Sequence, residues 1–94
     1  MSKAIHRTEH EVLIQLIRTL RQEAGLSQEQ CCWKLGRPQS FMSDVERGIR
    51  RLDLVQIRDL CTVYGISLQE FVRRYDESLR EQKENQWADQ RPAP

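Results

Sequence analysis

Residues 26–48, LSQEQCCWKLGRPQSFMSDVERG, decide the fold of this chain. Ser27 can take the N–H of Gln30 while the Gln30 side chain reaches back to Ser27, so the pair opens a helix with a capping box. Gly36 stands where that helix needs a left-handed residue to stop. Pro38 suits the first turn of a second helix, where its missing N–H costs nothing. Gly48 closes the second helix. The spacing predicts helices over about 28–35 and 39–47, joined by a tight turn. Two short helices packed around such a turn make a helix-turn-helix, a geometry that can present one helix to a DNA major groove.

The same punctuation extends outward. Thr8-Glu9-His10-Glu11, Asp53-Leu54-Val55-Gln56 and Ser67-Leu68-Gln69-Glu70 have capping-box form,. Gly25 and Gly65 supply further stops. Between them, Val12, Leu13, Leu16, Ile17 and Leu20 form one apolar stripe, and Leu54, Ile57, Leu60, Cys61 and Tyr64 another. A further stripe, on the fifth helix, follows with Leu68, Phe71, Val72, Tyr75 and Leu79. No segment alternates as a strand does. The expected fold class is all-α, with five helices and the helix-turn-helix at the second and third. The expected divisions are a flexible N-terminus (1–8), a folded domain (9–76), and a helix extension of one or two turns running into a disordered tail (77–94).

At 38% hydrophobic content with six aromatic residues, the 94-residue chain can fill one small core,. No apolar run reaches about 18 residues, the length a membrane span needs, and the first residues lack a signal-peptide pattern, which points to the cytoplasm. Cys31, Cys32 and Cys61 are an odd set with no C-x-x-C spacing, so they read as small core residues rather than as a disulfide or zinc framework; redox sensing has no support beyond their presence. His10-Glu11 lacks the second histidine of HExxH, His6 lies near the chain end, and no phosphate loop or nucleophile triad occurs, which argues against an enzyme. No cofactor or metal is expected.

The net charge of +1 hides an uneven distribution. Residues 1–75 carry twelve Lys/Arg against nine Asp/Glu, while the remainder carries three against five. Within 34–51, Lys34, Arg37, Arg47, Arg50 and Arg51 face only Asp44 and Glu46. A local basic surface of this kind suits phosphate. On the third helix Met42 and Val45 face inward, Phe41 and Asp44 lie one step around, and Gln39, Ser40, Ser43 and Asp44 share the outer side.

These residues, together with Leu20-Arg21 and Gly65-Ile66-Ser67, resemble the phage-repressor and Cro-like family of helix-turn-helix regulators, also called the xenobiotic-response-element family. The resemblance covers about residues 10–75. GRPQSFMSDVERGIRRLD looks like a branch of stand-alone bacterial regulators in that family. It implies a homodimer binding a palindromic double-stranded operator with the third helix in the major groove. Gln39, Ser40 and Asp44 occupy base-contacting positions; Gln28, Arg37, Ser43, Arg47, Arg50 and Arg51 fall at phosphate-contacting ones. Arg21 and Glu46 match a pair that is often buried in this family, the alternative being an ordinary surface pair. Val72, Tyr75 and Leu79 are expected at the dimer interface, where the competing reading is intramolecular core.

Glutamine can make two hydrogen bonds to adenine, a pairing that gives about 1–3 kcal/mol of discrimination; the plainer reading of Gln39 and Ser40 is a solvated helix start. Asp44 departs from a phosphate-facing surface. It either reads cytosine N4 (directly or through water), pairs with Arg47 or Arg37, or weakens DNA binding. Trp33 either covers part of the first helix or belongs to a protein-facing surface, and Trp87 is either incidental or packs on a second subunit. A second function class therefore stands beside the first: a protein-interaction module, antitoxin or adaptor, built on the same fold.

Overall fold

The computed structural model describes residues 8–90, with side-chain surroundings through Gln82. The first seven residues, where flexibility is expected and His6 lies, the tail beyond residue 90, and the surroundings of Trp87 fall outside the described residues. The described chain forms α1 (Thr8–Glu23), α2 (Gln28–Leu35), α3 (Ser40–Glu46), α4 (Leu54–Tyr64) and α5 (Leu68–Gln90). Helix α1 packs on α3 and α5, α2 packs on α3 and α4, and α4 packs on α5.

The helix ends explain why the elements fall where they do. Ser27 Oγ accepts the Gln30 N–H at 3.0 Å, and the Ser27 N–H donates to Gln30 Oε1 at 2.9 Å. Asp53 and Gln56 repeat the arrangement at α4. At α5 Ser67 Oγ likewise accepts the Glu70 N–H, but both Glu70 oxygens accept from Arg73, whose charged guanidinium is the stronger donor,. Thr8 is already the first residue of α1, so its capping role lies at the edge of the described chain.

A common closure ends α1, α2, α3 and α4. In α3 the Gly48 N–H donates to the Val45 carbonyl and the Ile49 N–H to the Asp44 carbonyl, both at 3.0 Å; this is a Schellman motif. Gly48 has φ of 81°, and a Cβ there would stand 3.0 Å from Ile14 Cδ1 of α1. Glycine is required twice over, by backbone and by packing.

The core joins Leu16, Ile17 and Leu20 of α1 to Cys31 and Cys32 of α2, Phe41, Met42 and Val45 of α3, Leu60, Cys61 and Tyr64 of α4, and Phe71 of α5. All three cysteines are free thiols and buried. Burial pushes the Cys31 and Cys61 thiols up, which keeps them neutral near pH 7,. Cys32 also spans the turn: its Sγ donates to the Gln39 carbonyl at 3.4 Å and accepts the Met42 N–H at 3.3 Å. The Tyr64 hydroxyl donates to the Ile17 carbonyl, tying α4 to α1.

Four sequence expectations change. Helix α3 is one residue shorter at each end, and Pro38 lies outside it, with its carbonyl accepting the Phe41 N–H. Leu54 begins α4 but is 63% exposed, because the first turn of α4 projects beyond the other helices' cover. Phe41 is buried with Met42 and Val45 rather than lying one step outside them. Finally, α5 continues to Gln90, well past one or two turns beyond Asp76.

Candidate nucleic-acid interface

Helix α3 carries two edges of different character. Its inner edge is Phe41, Met42, Val45 and Glu46, all buried; Gln39 and Ser40 are exposed, and Ser43 and Asp44 half-buried. Gln39 is the N-cap residue, yet its side chain makes no cap bond and so stays available at the helix start. Gln28, Glu29, Gln39, Ser40 and Ser43 line one shallow depression between the start of α2 and the outer edge of α3. The first amides of α2 open beside it without intrahelical acceptors.

Glu46 anchors this arrangement from within. Only 3% exposed, it receives Arg21 Nε at 2.7 Å and Arg21 Nη2 at 3.1 Å. Arg18 adds Nε at 3.4 Å to the carboxylate and Nη2 at 3.0 Å to the Glu46 main-chain carbonyl. Gln28 Nε2 donates to Glu46 Oε1 at 2.9 Å. Arg21 also reaches the Leu26 carbonyl at 2.8 Å, fixing the entry to α2. Burial disfavours the charged carboxylate, but hydrogen bonds from Arg21, Gln28 and Arg18 hold Glu46 below the usual carboxylate range,. The Arg21 pKa is raised in turn, chiefly by its hydrogen bond to Glu46.

Gln28 is thus partly committed: one amide hydrogen serves Glu46, which leaves one N–H of the side chain for another acceptor. Sequence reasoning missed this tie and missed Arg18 altogether. Arg18 lies three residues before Arg21, on the same side of α1, and that spacing was the available signal.

The predicted phosphate contacts fall into separate places. Arg37 and Arg50 both stack on Phe41, with guanidinium carbons 5.2 and 5.0 Å from the ring centroid. Arg47 and Arg51 are exposed. Arg47 Nη2 stands 3.5 Å from Asp44 Oδ1; of the two arginines weighed for Asp44, Arg47 makes the contact and Arg37 goes to Phe41. Arg47 is exposed and Asp44 partly so, which leaves the pair weak and easily exchanged,. Trp33 is 81% exposed and therefore does not cover α1.

Away from this face, Val72 is 49% exposed and borders a shallow cleft with Leu68 and Tyr75. The Tyr75 hydroxyl donates to the Glu9 carbonyl at 3.2 Å, so part of that side chain joins α5 to α1; Leu79 is half-buried. Among the described residues no group of side chains could hold a metal ion, and no helix is long and apolar enough to cross a membrane.

An outer α3 edge carrying amides and hydroxyls, framed by arginines and set against α2, defines a helix-turn-helix of the Cro-like type. Residues 13–73 match the helix-turn-helix domain family, and the chain belongs to that family. An uncharacterized HTH-type transcriptional regulator, y4dJ, of Sinorhizobium fredii is 36% identical over 63% of this chain and 77% of its own length. Among solved structures, an XRE-family like protein from Pseudomonas syringae is 33% identical with a TM-score of 0.71, over 80% of this chain and 92% of that one. The restriction-modification controller protein C.Esp1396I, solved as a tetramer with its natural 35 base-pair operator, shares the fold at 19% identity and a TM-score of 0.71, over 78% of this chain and 96% of that one.

Proposed function

We propose that this helix-turn-helix protein is a sequence-specific transcriptional regulator that binds a palindromic operator as a homodimer in the cytoplasm. Helix α3 enters the major groove, where Gln39 and Ser40 meet base edges and Asp44 exchanges its weak arginine contact for cytosine N4 or water. Gln28, Ser43 and the arginines 37, 47, 50 and 51 hold phosphates. Val72, Tyr75 and Leu79 form the dimer contact on α5. One observation carries the reading: Gln28, Gln39, Ser40 and Ser43 share one depression on the only α3 edge that the core does not use. The family is a non-enzymatic one, which agrees with a binding role.

Selection of bound fragments from random duplex DNA tests this. The expected product is a palindrome with half-site centres about 10–10.5 base pairs apart. Replacing Arg50 and Arg51 by alanine should weaken binding and lower the salt slope by about one per lost phosphate contact. Absence of retention on any duplex at low salt rules the proposal out. The exposed Trp33, bordering a cleft with Leu26, Glu29, Gln30 and Lys34, favours a second reading in which a protein partner docks there; in that case Trp33→Ala abolishes partner capture while DNA affinity stays unchanged.

A further inference from the structure

The geometry points to Phe41 as a positioning residue that joins Arg37 and Arg50 into one phosphate-gripping unit. The inference rests on the DNA-binding reading and specifies how two of its contacts are held. Arg37 follows the end of α2 and Arg50 follows the end of α3, so they lie thirteen residues apart on different sides of the recognition helix. Their main chains are pinned by the helix closures: the Arg37 N–H donates to the Cys32 carbonyl at 3.0 Å and the Arg50 N–H to the Asp44 carbonyl at 3.2 Å. What remains free is the long side chain of each, and both settle on the same ring. Phe41 itself is 6% exposed, held by the core and unable to move with them.

Two like charges on exposed, flexible stems repel and spread. A shared aromatic ring opposes that, since a guanidinium lying over a ring is attracted by its quadrupole. Because each guanidinium carbon is about 5 Å from one centroid, the two stand no further apart than the sum of those distances. That is less than the major-groove width of about 12 Å, so the pair fits at one stretch of the groove with each guanidinium near the phosphates that border it. Holding them there before contact removes side-chain ordering from the binding step.

The test uses the full chain and a duplex obtained by the selection above, with affinities followed against salt and folding checked by circular dichroism. Phe41→Leu keeps both charges, so affinity is expected to fall about tenfold with the salt slope unchanged. Arg37→Lys with Arg50→Lys, Phe41 intact, should lose a similar factor, because an ammonium lacks the planar face for stacking. In an Arg37→Ala, Arg50→Ala background, adding Phe41→Leu should change affinity by less than about twofold. An equal loss from Phe41→Leu with and without the arginines makes Phe41 a core residue only, and overturns the inference. If Phe41→Leu fails to fold, the double lysine variant decides, and parental affinity there overturns it equally. Should the parent bind no duplex, the DNA reading fails first. The stack itself is then still read from ring-current shifts of the Arg37 and Arg50 Nε–H resonances.

Discussion

At the scale of single residues, Glu46 has the largest predicted effect. Its carboxylate is buried and met by three side chains from two helices, so Glu46→Ala strands Arg21, itself only 12% exposed at the side chain. Breaking a buried pair from one side costs about 3–5 kcal/mol, and chemical denaturation should show a loss of that size. A melting point within a degree or two of the parent would contradict it. The same carboxylate sets an acid limit. Its folded pKa lies below its ordinary value of 4.5, so its contribution is complete above that pH and is lost as pH falls through the lower folded value. Thermal melts should be insensitive to pH near neutrality and should drop below about pH 4.5, less so in Glu46→Gln. Arg21 and Glu46 were legible in sequence through the family pattern. Arg18 and the Gln28 amide were not, because which of several nearby donors reaches a buried acceptor depends on tertiary geometry.

At the scale of elements, helix boundaries were the most legible part, since caps and stops act within four or five residues. Ser27/Gln30 and Asp53/Gln56 form the reciprocal boxes that their spacing implies. Glu70 shows the limit: an arginine three residues on competes for it, and the capping pattern alone does not weigh that rival. Leu54 shows another, because periodicity assigns a face without saying how far the neighbouring helices extend over it. Gly48 yields a prediction at this scale. Gly48→Ala forces a left-handed alanine and drives its Cβ toward Ile14 Cδ1 at 3.0 Å, for a loss of about 1–3 kcal/mol. Adding Ile14→Val removes the clashing atom and should recover the steric share alone; full recovery would mean that backbone strain contributes nothing.

At the scale of the whole molecule, the all-α fold class and the place of the helix-turn-helix followed from the sequence, whereas the reach of α5 did not. Helix formers after Asp76 permit continuation without fixing its end. The proposed dimer makes Val72 its most accessible member, and Val72→Asp is expected to leave the helical content unchanged while lowering the sedimentation coefficient and weakening operator binding. A variant still dimeric at micromolar concentration moves the interface elsewhere. The division of α3 into two edges has a further consequence. Gln39 and Ser40 are exposed and the Gln39 side chain makes no cap bond, so exchanging them should alter stability by no more than about 0.5 kcal/mol. Glu46, Met42 and Val45 have no such latitude. If α3 reads the operator as proposed, descendants of this chain can drift toward new operators through these two solvent-facing positions without first having to repair their folding. On this scaffold, target choice is a trait that selection can change almost independently of the ability to fold.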